Sequence, residues 1–347
     1  MVDVERTHER ELTAAVRECL PDGRLNPDAV GWSRHPLHDC NLLGRWGRKK
    51  RWEYWCVTTD THMFSLTYAD IDYLGLVAVG FMADYDRGRV LEKVGVVPLA
   101  AGMAMPPTVG VGALGARTPG LRMTVNREGD ATLLQARATT VGSHRIEADL
   151  RIETPPGHES LNVLVPWSDT EFQFTSKQNC LPATGTVVCD GTTYEFGPDN
   201  GAYGCQDFGR GVWPYRTSWN WASASGRLAD GTVLGITVGG KWTDATGVTE
   251  NGIVVDGRLH KFGEDLEWDY DGADFMAPWR VHAPRSGRVD LEFVPLCDRA
   301  ANLNLGVLST AVHQCFGRFH GTVVTDEGDT IAVTDMLGWA EEHRAKW

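Results

Sequence analysis

The stretch from Asp207 to Trp221 holds the residue types from which an acid–base site in an apolar setting is made. Trp213, Tyr215, Thr217, Trp219 and Trp221 fall at alternate positions, so one continuous strand would present them all on one face, with Pro214, Arg216, Ser218 and Asn220 on the other. Such a face reads as an aromatic core seam, or as the lining of a barrel interior suited to a bulky apolar ligand or a carbocation, and the two uses are compatible. Asp207 heads the stretch in Gln206-Asp207-Phe208-Gly209-Arg210-Gly211. A carboxylate there can act as general acid or base, or can cap a turn and pair with Arg210. Glu250 precedes the β-prone residues 253–255. Buried against Trp242 it would have its pKa raised by desolvation and carry a proton at neutral pH; on a solvent-facing strand start it would not. His313, next to Gln314, supplies a neutral donor and acceptor that could orient water. His320 lies an odd number of positions further on, so a regular strand would send the two imidazoles to opposite faces, which speaks against a shared metal site.

A basic and aromatic run, residues 45–55, could grip a phosphate-bearing head group or stack on nucleic acid. Yet Trp52, Tyr54 and Cys56 alternate with Glu53 and Trp55, the pattern of a strand buried on both faces, and the basic residues then read as its solvated lead-in. None of the eight cysteines forms a C-x-x-C pair or has metal-ligand spacing with histidine. Cys180 and Cys189 flank a turn, but reduced thiols are the plain expectation, because the first residues lack the apolar stretch of a secretory signal and a cytoplasmic location follows. No Walker loop, dinucleotide-binding glycine motif, zinc-protease motif or nucleophile elbow is present. No cofactor or metal is expected.

The elements that must position these residues are strands. Asp190-Gly191, Asp230-Gly231 and Asp256-Gly257 lie between β-prone runs, and Glu128-Gly129-Asp130 and Glu327-Gly328-Asp329 look like further hairpin loops. Helix is scarce: residues 7–20 place Leu12, Val16 and Cys19/Leu20 on one stripe and read as a short N-terminal helix. The longest charge-free stretch, residues 94–116, is broken by Pro98, Pro106, Pro107 and glycines, so it reads as an apolar loop and not a membrane span. Peripheral contact with a membrane stays open. With 46 acidic against 33 basic side chains the net charge is -13, which disfavours a bulk grip on nucleic acid. Gly-Pro-Asp-Asn-Gly at residues 197–201 interrupts the strand pattern and suggests a division into residues 1–40 (lead-in), 41–200 and 201–347. Meanders of this size close into barrels or stack as sandwiches, so an all-β fold is expected.

Several motifs together resemble a bacterial family known as domain of unknown function 2804: Arg48-Lys49-Lys50-Arg51-Trp52-Glu53-Tyr54-Trp55, Leu181-Pro182-Ala183-Thr184-Gly185, Arg210-Gly211-Val212-Trp213-Pro214-Tyr215 with Trp219-Asn220-Trp221, Thr249-Glu250-Asn251-Gly252 and Gln314-Cys315-Phe316-Gly317. The resemblance spans the chain from about residue 20. More distantly the layout is similar to the lipocalin-like superfamily of carotenoid hydratases, AttH-like proteins and some fungal pericyclases. That resemblance implies tandem lipocalin-like antiparallel β-barrels (or a β-sandwich) with an apolar ligand in or between them, and it transfers no catalytic residue.

Two functions compete. The first is a cofactor-independent hydratase, isomerase or cyclase acting on an apolar, isoprenoid-like small molecule, with Asp207 or Glu250 as the acid, His313 orienting water, and Trp213, Tyr215, Trp219, Trp221, Trp242 and Arg210 around the ligand. The second is a non-catalytic lipid or pigment carrier, which needs the same cavity but no perturbed carboxylate. A partner-binding module using the basic run is a weaker third.

Overall fold

The computed structural model describes residues 7–43 and 45–347. Alternating apolar positions fold most of the chain into two large antiparallel sheets. In spatial order the first runs Val90–Pro98, Leu74–Met82, Met63–Asp70, Lys49–Thr58, Tyr203–Val212, Phe172–Cys189, Arg145–Glu153, Ala131–Thr139, Leu121–Glu128 and Leu114–Thr118. Its two ends come back against each other, so these ten strands make a nearly closed barrel. The second sheet forms a nine-strand half-barrel in the order Arg258–Phe262, Asn251–Val255, Val233–Gly240, Arg216–Arg227, Thr330–Lys346, Ser309–Val324, Val289–Asn304, Trp279–His282 and Glu267–Asp269. The hairpins at Asp190-Gly191 and Asp256-Gly257 have both central residues at positive φ, the backbone that matches strand twist.

Each sheet fills its own concave side. Trp55, Phe64, Leu66, Val79, Leu134 and Leu150 are among the side chains that plug the barrel. Ile236, Val238, Leu291, Phe293 and Phe319 do the same in the half-barrel. The barrel-interior ligand site expected from the sequence is therefore solid protein. A large open space lies where the outer faces of the two sheets meet. Phe172–Cys189 helps to hold that junction: its register shifts between Gln178 and Leu181, with Cys180 at φ 58°, and the bulge turns Asn179 toward the second sheet. There the Asn179 amide donates to Ser223 Oγ at 2.9 Å and to the Ile236 carbonyl at 2.7 Å.

Three expectations are corrected. Residues 7–20 are extended, not helical: Leu12 N donates to the Trp32 carbonyl and Val16–Arg17 pairs in parallel with His38–Asp39. A short helix is marginal in water, and hydrogen bonding to neighbouring extended segments outcompetes it. The only helical pieces among the described residues are the 3-10 turns Pro27–Ala29 and Pro198–Asn200. Residues 94–98 belong to the strand Val90–Pro98, while part of the following loop packs Met103 and Met105 on the barrel core. Finally, the division at residue 200 moves. Tyr203–Val212 lies inside the first sheet, and the chain crosses to the second at residues 213–215, where Pro214 cannot continue a ladder.

Candidate active site

The space between the sheets is a cavity of about 400 Å3. Strand periodicity delivers one wall. Lys49–Thr58 turns Trp52 and Tyr54 into it, Phe172–Cys189 turns Gln173, Thr175 and Lys177, and Tyr203–Val212 turns Asp207. Lys177, Asp207 and Tyr54 are consecutive cross-strand neighbours, so they form one row. Gly209 follows Asp207 on the same face, and a Cβ there would lie 2.2 Å from the Trp52 ring; glycine is what lets the indole lie flat on the sheet beside the carboxylate. From the other side come Trp219, Trp221, Trp242 and Glu250. Gly239 makes the room for Glu250, since a Cβ would stand 2.1 Å from Glu250 Oε1.

Two carboxyl groups and one ammonium meet here. Lys177 Nζ is 3.0 Å from Asp207 Oδ2 and 3.4 Å from Glu250 Oε2, and lies over the Trp221 ring at 4.0 Å. Asp207 also accepts from Trp52 Nε1 (3.1 Å) and from the Thr175 hydroxyl (3.0 Å). Glu250 accepts from Trp242 Nε1 at 2.5 Å through Oε1, while Oε2 makes no hydrogen bond within the protein beyond the ion-pair contact with Lys177. Burial pushes the Glu250 carboxyl up from 4.5 to about 7, against the opposing pull of Lys177 and the Trp242 donor. For Lys177, burial works to lower the pKa, but Asp207 and Glu250 together outweigh it and hold the ammonium above its ordinary value.

A second polar group faces the same cavity. Glu341 accepts from Trp219 Nε1 at 2.9 Å and from the Gln314 amide at 3.2 Å. Arg299 donates to Gln314 at 3.1 Å and pairs with Glu92. Tyr54 sits beside Gln314, and burial pushes its phenol well above the ordinary value, so it is a neutral donor. His343 packs at a tilt against Trp219 with ring centroids 4.0 Å apart.

Of the residues singled out in the sequence, Asp207, Glu250, Trp213, Trp219, Trp221 and Trp242 line the cavity. Three do not. Arg210 stands three positions from Asp207, hence on the opposite face; it is buried over Phe208 and donates to the Trp52 carbonyl (2.7 Å) and to Glu53 (3.4 Å). His313 points away from its neighbour Gln314, pairs with Asp298 at 2.7 Å and stacks on Phe275, so it cannot hold a water in the cavity. Tyr215, in the crossover, is half exposed at the rim and bonds the Val307 carbonyl. The rule of alternation fails for it because residues 213–221 are not one strand.

Sequence reasoning missed Lys177, Tyr54, Arg299 and Glu341. A signal existed for the first: Gln173, Thr175 and Lys177 alternate in a strand whose other positions include Phe172 and Phe174. That pattern ordinarily marks a solvated face. Only the second sheet laid over it makes it an interior wall. Among the described residues, no group of three or more His, Cys, Asp or Glu side chains could hold a metal ion, and no helix is long and apolar enough to cross a membrane.

The model of the domain of unknown function 2804 (DUF2804) matches residues 9–347, and the chain belongs to that family. No curated protein sequence matches it. Its fold is similar to that of a protein from Nitrosomonas europaea described as an AttH, at 14% identity and TM-score 0.50 over 85% of this chain and 92% of that one. It is similar as well to CghA, whose crystal structure holds Sch210972, at 15% identity and TM-score 0.51 over 86% and 89% of the two chains. Kievitone hydratase from Nectria haematococca shares 8% identity at TM-score 0.47 over 87% and 89%. At such identities a likeness bears on the architecture and leaves the chemistry to this chain's own residues.

Proposed function

We propose that this DUF2804 protein is an enzyme that moves a proton on an apolar small molecule held between its two sheets, in a hydration, isomerisation or cyclisation that needs no cofactor. The observation that carries this reading is Glu250: a fully buried carboxyl raised to about 7, on the wall of a cavity of about 400 Å3, with one oxygen left without a hydrogen bond. An acid with a pKa near neutrality is matched to giving and taking back a proton at that pH. The neutral Glu250 Oε2 donates its proton to an alkene carbon or carbonyl oxygen of the substrate. Lys177, 3.4 Å away, then stabilises the carboxylate that forms. Asp207, gripped by Trp52 and Thr175, positions Lys177 for this role. The indole faces of Trp213, Trp219, Trp221 and Trp242 stabilise a cationic intermediate. The cycle closes when water adds and returns its proton to Glu250, or when the intermediate loses a proton to it directly.

A passive carrier gains nothing from a buried carboxyl–ammonium–carboxyl cluster, which costs stability to desolvate. The test begins with native mass spectrometry of protein purified from its source, to identify a co-purified molecule. That compound is then incubated with wild type, Glu250→Gln and Asp207→Asn. Turnover lost in the Gln variant and strongly reduced in the Asn variant is the expected result. Conversion unchanged in both, or a bound ligand never converted by wild type, refutes the assignment.

A further inference from the structure

The mouth of the cavity is unlike the rest of this acidic surface. The hairpin joining Val289–Asn304 to Ser309–Val324 carries Leu303, Leu305 and Val307 at its tip, exposed to 52%, 62% and 70%. Leu303 and Leu305 also line the cavity, so the exposed apolar surface is continuous with its interior. Across the mouth, the turn around Tyr73 holds Leu99, 66% exposed, through Leu99 N to the Tyr73 carbonyl, and the loop carrying Trp46, 67% exposed, through Gly47 N to Asp72. Tyr215 ties the hairpin to the crossover through the Val307 carbonyl.

Beside the hairpin lies an open depression of about 570 Å3 that shares Trp242, Ser309 and Lys346 with the cavity. Arg216, Lys241, Arg344 and Lys346 line it, against Asp244. Glu342 pairs with both Lys241 (3.2 Å) and Arg344 (2.6 Å). Arg216 and Lys346 are directly opposite each other in the ladder, and among the described residues neither has a carboxylate within ion-pair distance. Like charges facing one another across a strand pair are destabilising unless an anion lies between them. Both features point one way: an apolar and aromatic rim, and next to it two unneutralised cations on a chain of net charge -13.

The geometry points to this rim as a docking surface for an anionic bilayer. The Leu303–Leu305–Val307 tip enters the interfacial region, Trp46 and Tyr215 sit at head-group level, and Arg216 and Lys346 take lipid phosphates. The cavity then opens toward the acyl phase, from which an apolar guest can enter without crossing water. The docking does not depend on turnover, so its test reads binding alone.

The full chain is floated with phosphatidylcholine vesicles with and without phosphatidylglycerol. Association is expected with the anionic vesicles, weakening as salt is raised. Leu305→Ser/Val307→Ser should weaken partitioning by at least tenfold, because each removes an apolar side chain that the bilayer would bury. Arg216→Gln and Lys346→Gln should each weaken it roughly fivefold, and only on anionic vesicles. Leu305, Val307 and Arg216 are exposed and Lys346 is partly exposed, and an unchanged near-ultraviolet circular dichroism spectrum verifies the fold. No flotation with anionic vesicles overturns the proposal. So does binding of inorganic phosphate in the depression without vesicle association, or self-association that buries the tip and persists in the presence of vesicles.

Discussion

Replacing Glu250 by Gln probes the central claim through stability, with no knowledge of the substrate. In the unfolded chain the carboxyl titrates near 4.5; in the folded protein burial moves it to about 7. Between those values the folded state holds a proton that the unfolded state has released, so raising pH favours unfolding. The sign follows: this group costs nothing below about pH 4.5, and its destabilisation grows through the window and is complete above about pH 7. The shift corresponds to about 3 kcal/mol in the fully ionised protein. Glutamine keeps the oxygen that accepts from Trp242 and has no proton to lose. The stability of Glu250→Gln relative to wild type should therefore rise by about 3 kcal/mol from pH 4.5 to about pH 8, on top of a constant offset from the lost contact with Lys177. Guanidinium unfolding followed by tryptophan fluorescence across that range measures the difference. Infrared spectroscopy provides the second reading: a protonated-carboxyl C=O band that titrates near 7 and is missing in the variant. A difference independent of pH, with no such band, would show that Glu250 ionises like an exposed carboxyl, and the proton-donor reasoning would fall with it.

Lys177→Met should cost about 3 to 5 kcal/mol at neutral pH, because it leaves Asp207 and Glu250 buried without their shared cation. It should also drive the infrared midpoint of Glu250 above 7; an unchanged midpoint would mean that Lys177 does not act on it. Gly239→Ala places a methyl group where Glu250 Oε1 now lies, so the carboxyl must leave the Trp242 donor. The expected outcome is a changed Glu250 titration with the sheet intact by far-ultraviolet circular dichroism, and retention of the wild-type midpoint would contradict the packing described.

The all-β architecture, its hairpins and the aromatic and acidic residues of the site were legible in the sequence, because each depends on neighbours in the chain. Alternation fixes which side chains share a face, and Asp-Gly fixes where a strand reverses. The same local rule misled at residues 213–221, where Pro214 ends one strand and the chain begins another in a different sheet, leaving Trp213 at the cavity and Tyr215 on the rim. It also misled at residues 7–20, whose apolar spacing suits a helix but whose backbone bonds go to Trp32 and to residues 37–39.

What the amino-acid order determined by itself is the set of faces: Trp52 with Tyr54, Gln173 with Thr175 and Lys177, Asp207 with the glycines that follow it. What only the tertiary structure decided is what those faces meet. Lys177 reads locally as a solvated lysine, and it becomes the hub of the site because the second sheet brings Glu250 and Trp221 to it from far along the chain. The pKa of Glu250 is decided in the same way. Desolvation and charge pairing depend on distance in space, and no spacing along a strand encodes which surface will close over a given carboxyl.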